Sequence, residues 1–423
     1  PKFWSGDTIS LLRKYDERGV VDKITEDLHL EGCLERKVSD LSGGELQRLA
    51  VAIAASREAD FYFFDEPSSY NDIFQRLAVS SVIRELAEEG KYVMLIEHDL
   101  TFLDYMSDFI HVLYGDTSVY GTVTGIYAAR TGINILLDGY IPNENVKFRD
   151  NPVVFDKVST DIEDIKTSVV AKYPNLVKKY EGFQLEIESG SLKEGEIIGV
   201  LGANALGKTT FMKIISGVEK PDSGNISSKV SVSYKPQYLS NEYGGLVEEF
   251  FDSRGGLKSS PFHSELFSSL GINRLMDKKI SELSGGELQK IAIASCLMID
   301  ADVYALDEPS AFIDIENRIS LGKTIHRFIK AYGKSALIVD HDLQLIDIIS
   351  DTIMIFSGKS AVNGHASSPL PKSNAMNSFL GDLGITYRRD HESGRPRVNK
   401  FGSKLDRDQK ETGSYYYLSS FNN

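Results

Sequence analysis

The sequence predicts an α/β protein with two domains, each a three-layer structure around a mostly parallel sheet, joined by hinge segments. Two observations carry this prediction. Short apolar runs alternate with helical segments in both halves of the 423-residue chain, as expected of buried parallel strands covered by helices. In addition, a set of motifs recurs in the same order at a constant spacing, which indicates two copies of one structural unit.

The repeat is a sequence block that starts with Leu-Ser-Gly-Gly-Glu-Leu-Gln at Leu41 and again at Leu283, 242 positions later (283 minus 41). Asp-Glu-Pro-Ser recurs at 65–68 and 307–310 with the same offset. We therefore expect four regions, which are the C-terminal part of a first unit at 1–115, a hinge or connector at 116–165, a second unit at 166–360, and a C-terminal hinge with a basic tail at 361–423.

A phosphate-binding loop is predicted in the second unit. The segment from Gly202 to Thr209 fits G-x-x-x-x-G-K-[ST], and it follows a predicted strand and opens a helix, as that pattern requires. Backbone N–H groups and the helix N-terminus favour phosphate there, and we expect Lys208 to reach the β- and γ-phosphates of ATP and Thr209 to ligate Mg²⁺. The predicted nucleotide-binding residues of the loop are Gly202, Asn204, Gly207, Lys208, Thr209 and Thr210.

The first unit has no corresponding loop in the printed sequence. Subtracting the offset from Gly202 gives about −40 (202 minus 242), a position upstream of Pro1. We interpret the chain as a large C-terminal fragment or as a protein that has lost its front. Removal of an initiator methionine before Pro1 is the alternative.

Paired carboxylates follow an apolar strand in both units. Asp65 and Asp307 end these strands, so each is expected at the carboxyl edge of the sheet as a magnesium ligand. Glu66 and Glu308 are expected to orient or deprotonate the attacking water. A single Asp-Glu pair is usually a solvated turn, but the repetition after an apolar strand favours the catalytic interpretation.

Three further side chains complete the predicted site. His98 and His341 each follow a strand and are predicted to sense the γ-phosphate as catalytic residues. Gln237 lies between the phosphate loop and the second Ser-Gly-Gly-Glu, and we expect it to ligate Mg²⁺ and water.

Both Ser-Gly-Gly-Glu segments read as capping boxes at helix N-termini. The two glycines cost helix stability, about 1 kcal/mol each, so we interpret them as allowing backbone N–H groups to approach an anion. The nucleotide-binding residues predicted here are Ser42, Gly43, Gly44, Glu45, Ser284, Gly285, Gly286 and Glu287. An aromatic residue that stacks on adenine is expected before Gly202, and the candidates are Tyr173, Tyr180 and Phe183.

Composition limits the class of protein. Hydrophobic residues make up 41% and charged residues 26% of the chain, as in soluble globular proteins, and no apolar run reaches the roughly 20 residues of a membrane span. The net charge of −14 argues against broad nucleic-acid binding. Two cysteines, Cys33 and Cys296, exclude a disulfide framework or an iron–sulfur site within this sequence and fit a cytoplasmic location.

These motifs together resemble ABC-type ATPases and, more narrowly, the ribosome-recycling factors of the E subfamily, also called the RNase L inhibitor family. The most specific part is the C-terminal segment with Tyr387-Arg388-Arg389-Asp390 and Gly394-Arg395-Pro396-Arg397. The resemblance implies two nucleotide-binding domains that face each other within one monomer, with each ATP between the phosphate loop of one domain and the Ser-Gly-Gly-Glu of the other.

The resemblance also implies a function. Members of this family split ribosomal subunits by an ATP-driven closure, so the implied partners are the small subunit with its rRNA and a termination factor. The basic residues of the tail would contact rRNA, with a merely solvated surface as the alternative; they are Arg388, Arg389, Arg395, Arg397 and Lys400. The family carries iron–sulfur clusters in an N-terminal domain that this sequence lacks, and one complete ATP site with Mg²⁺ is expected here. A non-hydrolysing ATP-gated scaffold and the nucleotide-binding subunit of a transporter are the alternatives.

One departure from the family pattern concerns the phosphate loop. Ala205 stands where the family usually has glycine. If that position requires a positive φ, alanine costs about 1 kcal/mol. Weaker ATP binding is therefore expected.

Overall fold

A computed structural model of the chain describes residues 6–116, 119–150, 152–155, 168–226, 230–237, 243–253, 261–390 and 393–416. The chain forms two compact units, Pro1–Pro152 and Val153–Asn423. The boundary falls inside the connector expected at 116–165, and the described part of that connector up to residue 150 is folded within the first unit.

The first unit begins with helices and a two-stranded parallel sheet. Strand β1 pairs with β2 in parallel, from Phe61 opposite Tyr92 to Asp65 opposite Ile96, as the sequence predicts. The elements are α1 Thr8–Tyr15, α2 Val21–Asp27, short 3₁₀ turns at Glu31–Cys33 and Val38–Asp40, α3 Gly43–Ser56, β1 Phe61–Asp65, α4 Ile73–Glu88, β2 Tyr92–Ile96 and α5 Leu100–Met106.

A small α/β region completes the first unit. It is built on a cluster of buried Val112, Ile135 and Ile141, so the segment after residue 116 has a core of its own. Its elements are β3 Phe109–Ile110, β4 Leu113–Asp116, β5 Tyr120–Val123, β6 Tyr127–Ala128, α6 Ala129–Asp138, β7 Tyr140–Ile141 and β8 Val146–Lys147.

The second unit is organised around a nine-stranded mixed sheet of order β10-β11-β18-β17-β13-β16-β15-β14, with β19 also paired to β17. The central strands β17, β13, β16, β15 and β14 run parallel. The strands are β9 Val169–Tyr173, β10 Leu176–Tyr180, β11 Phe183–Ile187, β12 Gly190–Lys193, β13 Ile197–Gly202, β14 Val232–Lys235, β15 Val303–Asp307, β16 Ser335–Val339, β17 Thr352–Lys359, β18 Asn363–Ala366 and β19 Leu370–Pro371.

Helices cover this sheet, and a C-terminal hairpin contacts the helix Leu343–Ile349, through Arg389 to Asp347 and Gln344 to Pro396. Strands β13, β15 and β16 are buried along their whole length, which places the strand ends that carry the site deep in the unit. The remaining elements are α7 Lys208–Ile215, α8 Val247–Ser253, α9 Pro261–Ser269, 3₁₀ turns at Ile272–Leu275 and Ile280–Glu282, α10 Gly285–Leu297, α11 Ile315–Ala331, α12 Leu343–Ile349, α13 Lys372–Leu383, β20 Tyr387–Arg389, β21 Pro396–Val398 and α14 Lys404–Glu411.

The sheet of the first unit differs from that of the second in burial. In β1, Tyr62 and Phe64 are buried, whereas Phe61 and Phe63 are more than half exposed, at 55% and 54%. Their counterparts in β15 are all buried because β14 and β16 flank that strand and α7 contacts it. Among the described residues of the first unit, β1 pairs only with β2.

Candidate active site

The phosphate loop joins β13 to α7 as predicted. Gly207 is the N-cap of α7 with φ 94°, and a Cβ there would lie 2.9 Å from the Leu185 side chain, so only glycine fits. The Lys208 Nζ donates to the carbonyls of Gly202 at 2.8 Å and Ala203 at 2.6 Å. The ammonium group therefore lies within the curve of the loop, where phosphate oxygens are expected.

Ala205 has a left-handed backbone, with φ 59°. Ala205 therefore has the positive φ at which alanine, in place of the family's usual glycine, costs about 1 kcal/mol. The loop is held from outside by the turn between β17 and β18, because Ala361 N donates to Ala205 O at 3.0 Å and Ser360 Oγ donates to Asn204 O at 2.9 Å.

Asp307 lies at the end of β15, fully buried. Its Oδ2 accepts a hydrogen bond from Thr209 Oγ1 at 2.8 Å, and its Oδ1 is buried without a hydrogen bond from any residue in the described part of the chain. Burial raises the pKa of this carboxyl, and the Thr209 hydrogen bond opposes the shift. A free carboxylate oxygen beside a threonine hydroxyl suits a magnesium ion, which takes oxygen ligands from one or two side chains and the substrate phosphates.

Glu308 follows directly and is held from two sides. Gln237 Nε2 donates to Glu308 Oε1 at 2.7 Å, and His341 Nε2 lies 3.4 Å from the same oxygen. Burial opposes ionisation, but hydrogen bonds from His341 and Gln237 and the charge of Lys208 outweigh it and lower the pKa of Glu308 to about 2. Glu308 is therefore a carboxylate at neutral pH, the form that accepts a proton from water.

A further connection ties the histidine segment to the carboxylate segment, and sequence reasoning missed it. Asp340, next to His341, accepts hydrogen bonds from Ser310 N at 3.0 Å and Ser310 Oγ at 2.7 Å. In the first unit Ser68 Oγ donates to Glu97 at 2.6 Å. The serine that recurs in both Asp-Glu-Pro-Ser segments was the sequence feature that could have indicated this contact.

The first unit reproduces the pairing of glutamate and histidine. His98 Nε2 lies 3.2 Å from Glu66 Oε1, close to the spacing in the second unit. Asp65 is exposed at the end of β1. The printed sequence supplies no phosphate loop beside these residues.

Both predicted capping boxes are present. Glu45 N donates to Ser42 Oγ at 3.4 Å and Ser42 N to Glu45 Oε2 at 2.7 Å, and Ser284 and Glu287 make the same exchange at 3.3 and 2.9 Å. The serines and the first glycines are exposed, which leaves the helix N-termini accessible.

The second glycine of each segment has a reason that the sequence did not indicate. A Cβ at Gly44 would lie 2.7 Å from Tyr70 O, and a Cβ at Gly286 would lie 2.5 Å from Phe312 O. The segment that follows the carboxylate pair thus passes directly over the glycine. Gly43 and Gly285 have more room, with nearest side-chain atoms at 3.5 and 3.4 Å.

The three aromatic candidates for adenine stacking differ in how deeply they are buried. Tyr173 is 3% exposed and packs against Phe211 in the core, so it has no face for a base. Tyr180 and Phe183 flank the turn between β10 and β11 with ring centroids 6.4 Å apart. These two residues remain candidates.

The basic C-terminal segment is not a basic surface in the region of Arg395 and Arg397. Their exposures are 0% and 8%, and Arg397 Nη1 pairs with buried Asp390 at 3.1 Å. Arg389 lies 3.4 Å from Asp347 of α12. For Arg395 and Arg397 the expectation of rRNA contact is wrong, because both side chains are buried inside the unit. Arg388 and Lys400 of the same tail are exposed.

Known proteins resemble the chain over nearly its whole length. The sequence profile of the family described as ABC transporter matches residues 5–69 and 185–311. An uncharacterised ABC transporter ATP-binding protein of Methanocaldococcus jannaschii is 46% identical over 99% of this chain and 69% of its own length. ABC transporter E family member 1 of Arabidopsis thaliana is 42% identical over 98% and 70%, and translation initiation factor RLI1 of Saccharomyces cerevisiae is 42% identical over 93% and 65%.

Solved structures agree. An archaeal ribosome recycling factor, aABCE1, in complex with the archaeal ribosomal stalk protein aP1, is 48% identical with a TM-score of 0.94, covering 99% of this chain and 81% of that one. A structure described as RNase-L Inhibitor has the same identity and TM-score, with 82% of that chain covered. The chain spans 65–70% of the length of these three curated relatives.

The phosphate loop, the carboxylate pair, the histidine and the repeated Ser-Gly-Gly-Glu on this fold define an ABC-type ATPase. Within that class, the similarity over nearly the full chain places it in the E family, the family of the RNase L inhibitor. In the described part of the chain, no helix is both long and apolar enough to cross a bilayer.

Proposed function

We propose that the chain hydrolyses ATP at the site formed around Glu308 and uses that cycle to separate ribosomal subunits. The observation that carries the hydrolytic part is the position of the Glu308 carboxyl group, whose Oε1 accepts from Gln237 at 2.7 Å and lies 3.4 Å from His341 Nε2. A carboxylate fixed in this way can orient a water molecule and accept its proton.

The positions of the remaining site residues indicate their roles. Lys208 and the N-terminus of α7 bind the phosphates, and Thr209, Asp307 and Gln237 supply oxygen ligands for Mg²⁺. When bound, the magnesium ion neutralises charge on the β- and γ-phosphates. His341 contacts the γ-phosphate. Loss of that phosphate would therefore affect the segment that contains His341 and the adjacent Asp340.

The Ser-Gly-Gly-Glu segments complete the proposal. The helix N-termini at 42–45 and 284–287 each contact ATP phosphate, with a first site in the second unit and a second, incomplete site in the first unit. Asp65, Glu66 and His98 would then belong to that second, incomplete site. We propose one competent ATP site in the chain as printed, and a monomeric state.

The ribosomal part rests on the relatives. The similar solved structures include one described as an archaeal ribosome recycling factor with a stalk protein and one described as ribosome-bound archaeal Pelota and ABCE1. We propose the same class of partners for this chain, a ribosomal subunit with its rRNA and a termination factor, and a cytoplasmic location. The transporter-subunit alternative has less support, because yeast relatives over most of the chain are named as translation factors.

The test compares ATP turnover of the wild-type chain with Glu308→Gln, and with Glu282→Gln at an exposed position as the control. Loss of the general base should lower turnover by about 100-fold or more, whereas the control should keep the wild-type rate. Equal rates for wild type and Glu308→Gln would favour the non-hydrolysing scaffold. Sucrose-gradient separation of ribosomes with ATP then tests subunit splitting, and intact ribosomes despite active ATP turnover would refute the ribosomal part.

A further inference from the structure

Two buried side chains donate hydrogen bonds to the backbone that carries the carboxylate pair. Gln289 Nε2 donates to Glu308 O at 2.6 Å. Lys235 Nζ donates to Asp307 O at 2.6 Å and reaches Glu308 O at 3.3 Å. Gln289 is 3% exposed and Lys235 is 1% exposed. These donors come from α10 and β14, and they contact the main chain of the two residues rather than their carboxylates.

The backbone at this point needs such support. Glu308 has φ 48°, a left-handed conformation that is unfavourable for a non-glycine residue and persists only where the surroundings enforce it. Because the direction of the Cα–Cβ bond follows from the main chain, fixing the Glu308 carbonyl also fixes the direction of its carboxylate toward Gln237 and His341.

The first unit repeats the arrangement. Gln47 Nε2 donates to Glu66 O at 3.0 Å, and Glu66 has φ 45°. Gln47 and Gln289 both lie in the second turn of a helix capped by the serine of Ser-Gly-Gly-Glu. The repeated glutamine therefore connects that helix to the glutamate of the same unit, and its recurrence argues against an accidental contact.

We propose that Gln289 and Lys235 are positioning residues for ATP hydrolysis, which hold Glu308 in its strained conformation and tie α10 to the carboxylate. The proposal rests on the ATPase activity proposed above. It gives the glutamine of Leu-Ser-Gly-Gly-Glu-Leu-Gln a role within its own unit. A displacement of α10 would be transmitted to Glu308 through this contact.

The test is steady-state ATP hydrolysis by the full chain with Gln289→Met, which keeps the length of the side chain but removes its donors. We expect kcat to fall about ten-fold, the scale of one lost hydrogen bond to a positioned group, with KM for ATP unchanged within about two-fold. Ile293→Val is the control, because Ile293 is 0% exposed in the same helix and its truncation loosens the packing without removing a donor. Lys235→Met is the second variant and should also lower kcat.

A double-mutant cycle distinguishes positioning from a general structural role. If Gln289 acts through Glu308, then Gln289→Met should have no further effect on turnover in a Glu308→Gln background. The inference is overturned if either methionine variant, folded with a melting temperature near that of Ile293→Val, keeps the wild-type kcat, or if the two effects multiply. Absence of turnover in the wild type would instead refute the proposed function itself.

Discussion

Adjacent glycines at the start of α10 provide a matched pair for testing why the motif contains glycine. Alanine at either position should gain up to about 1 kcal/mol of helix propensity. A Cβ at Gly286 would lie 2.5 Å from Phe312 O, whereas at Gly285 the nearest atom is 3.4 Å away. Ordinary non-bonded contacts lie at about 3.5 Å, so only the Gly286→Ala variant forces the backbone of the neighbouring segment to move.

The difference in unfolding free energy between the two variants isolates this steric cost, because the propensity gain cancels. Overpacking costs about 1–3 kcal/mol, which corresponds to a melting temperature about 2–12 °C lower for Gly286→Ala than for Gly285→Ala. Thermal unfolding followed by circular dichroism measures it. The pair Gly43→Ala and Gly44→Ala should give the same order, since the distances there are 3.5 and 2.7 Å. Equal melting temperatures within each pair would refute the steric explanation and favour the anion-approach explanation.

Three further predictions concern the loop, the tail and pH. Ala205→Gly should raise the free energy of unfolding by about 0.5–1 kcal/mol, because relief of the left-handed strain exceeds the added chain entropy, and a lower value in urea denaturation would contradict this. Arg397→Glu should cost about 3 kcal/mol or more, because Asp390 would lose its buried partner, and a wild-type melting temperature would contradict it. Hydrogen bonds from His341 and Gln237 keep the pKa of Glu308 near 2 instead of 4.5, so its stabilisation is complete above about pH 4.5 and is lost as pH falls toward 2. The difference in unfolding free energy between wild type and Glu308→Gln should change over that range, and a constant difference from pH 5 to pH 2 would refute the assignment.

The parts of the site that lie on strand ends were predictable from sequence. Asp307 ends β15 and His341 follows β16, as the apolar runs indicated, because parallel strands bring their carboxyl ends to one edge. The contacts of Lys235 and the second glycine were not predictable, since they depend on how loops from distant positions cross. The burial of Arg397 was hidden for the same reason, because a charged cluster in sequence shows no partner until the chain folds.

Strand β1 shows that an apolar run predicts a strand more reliably than it predicts the burial of that strand. Its apolar run correctly predicted a parallel strand, and the period-two burial of Tyr62 and Phe64 leaves Phe61 and Phe63 exposed. An apolar run allows a strand to be buried on both faces. Whether both faces are buried depends on the neighbouring elements.

The contacts within each unit explain why the motifs recur as one block with a nearly constant offset. In the second unit the helix of Ser-Gly-Gly-Glu holds Glu308 O through Gln289, and Ser310 holds Asp340 beside the histidine. The first unit preserves both contacts, from Gln47 to Glu66 and from Ser68 to Glu97, although the printed sequence supplies no phosphate loop there. The same hydrogen bonds therefore hold the motifs together in both units. These contacts require the helix, the glutamate, the serine and the histidine segment to stay together, which fits an offset of 242 for Asp65 and Asp307 (307 minus 65) and 243 for His98 and His341 (341 minus 98).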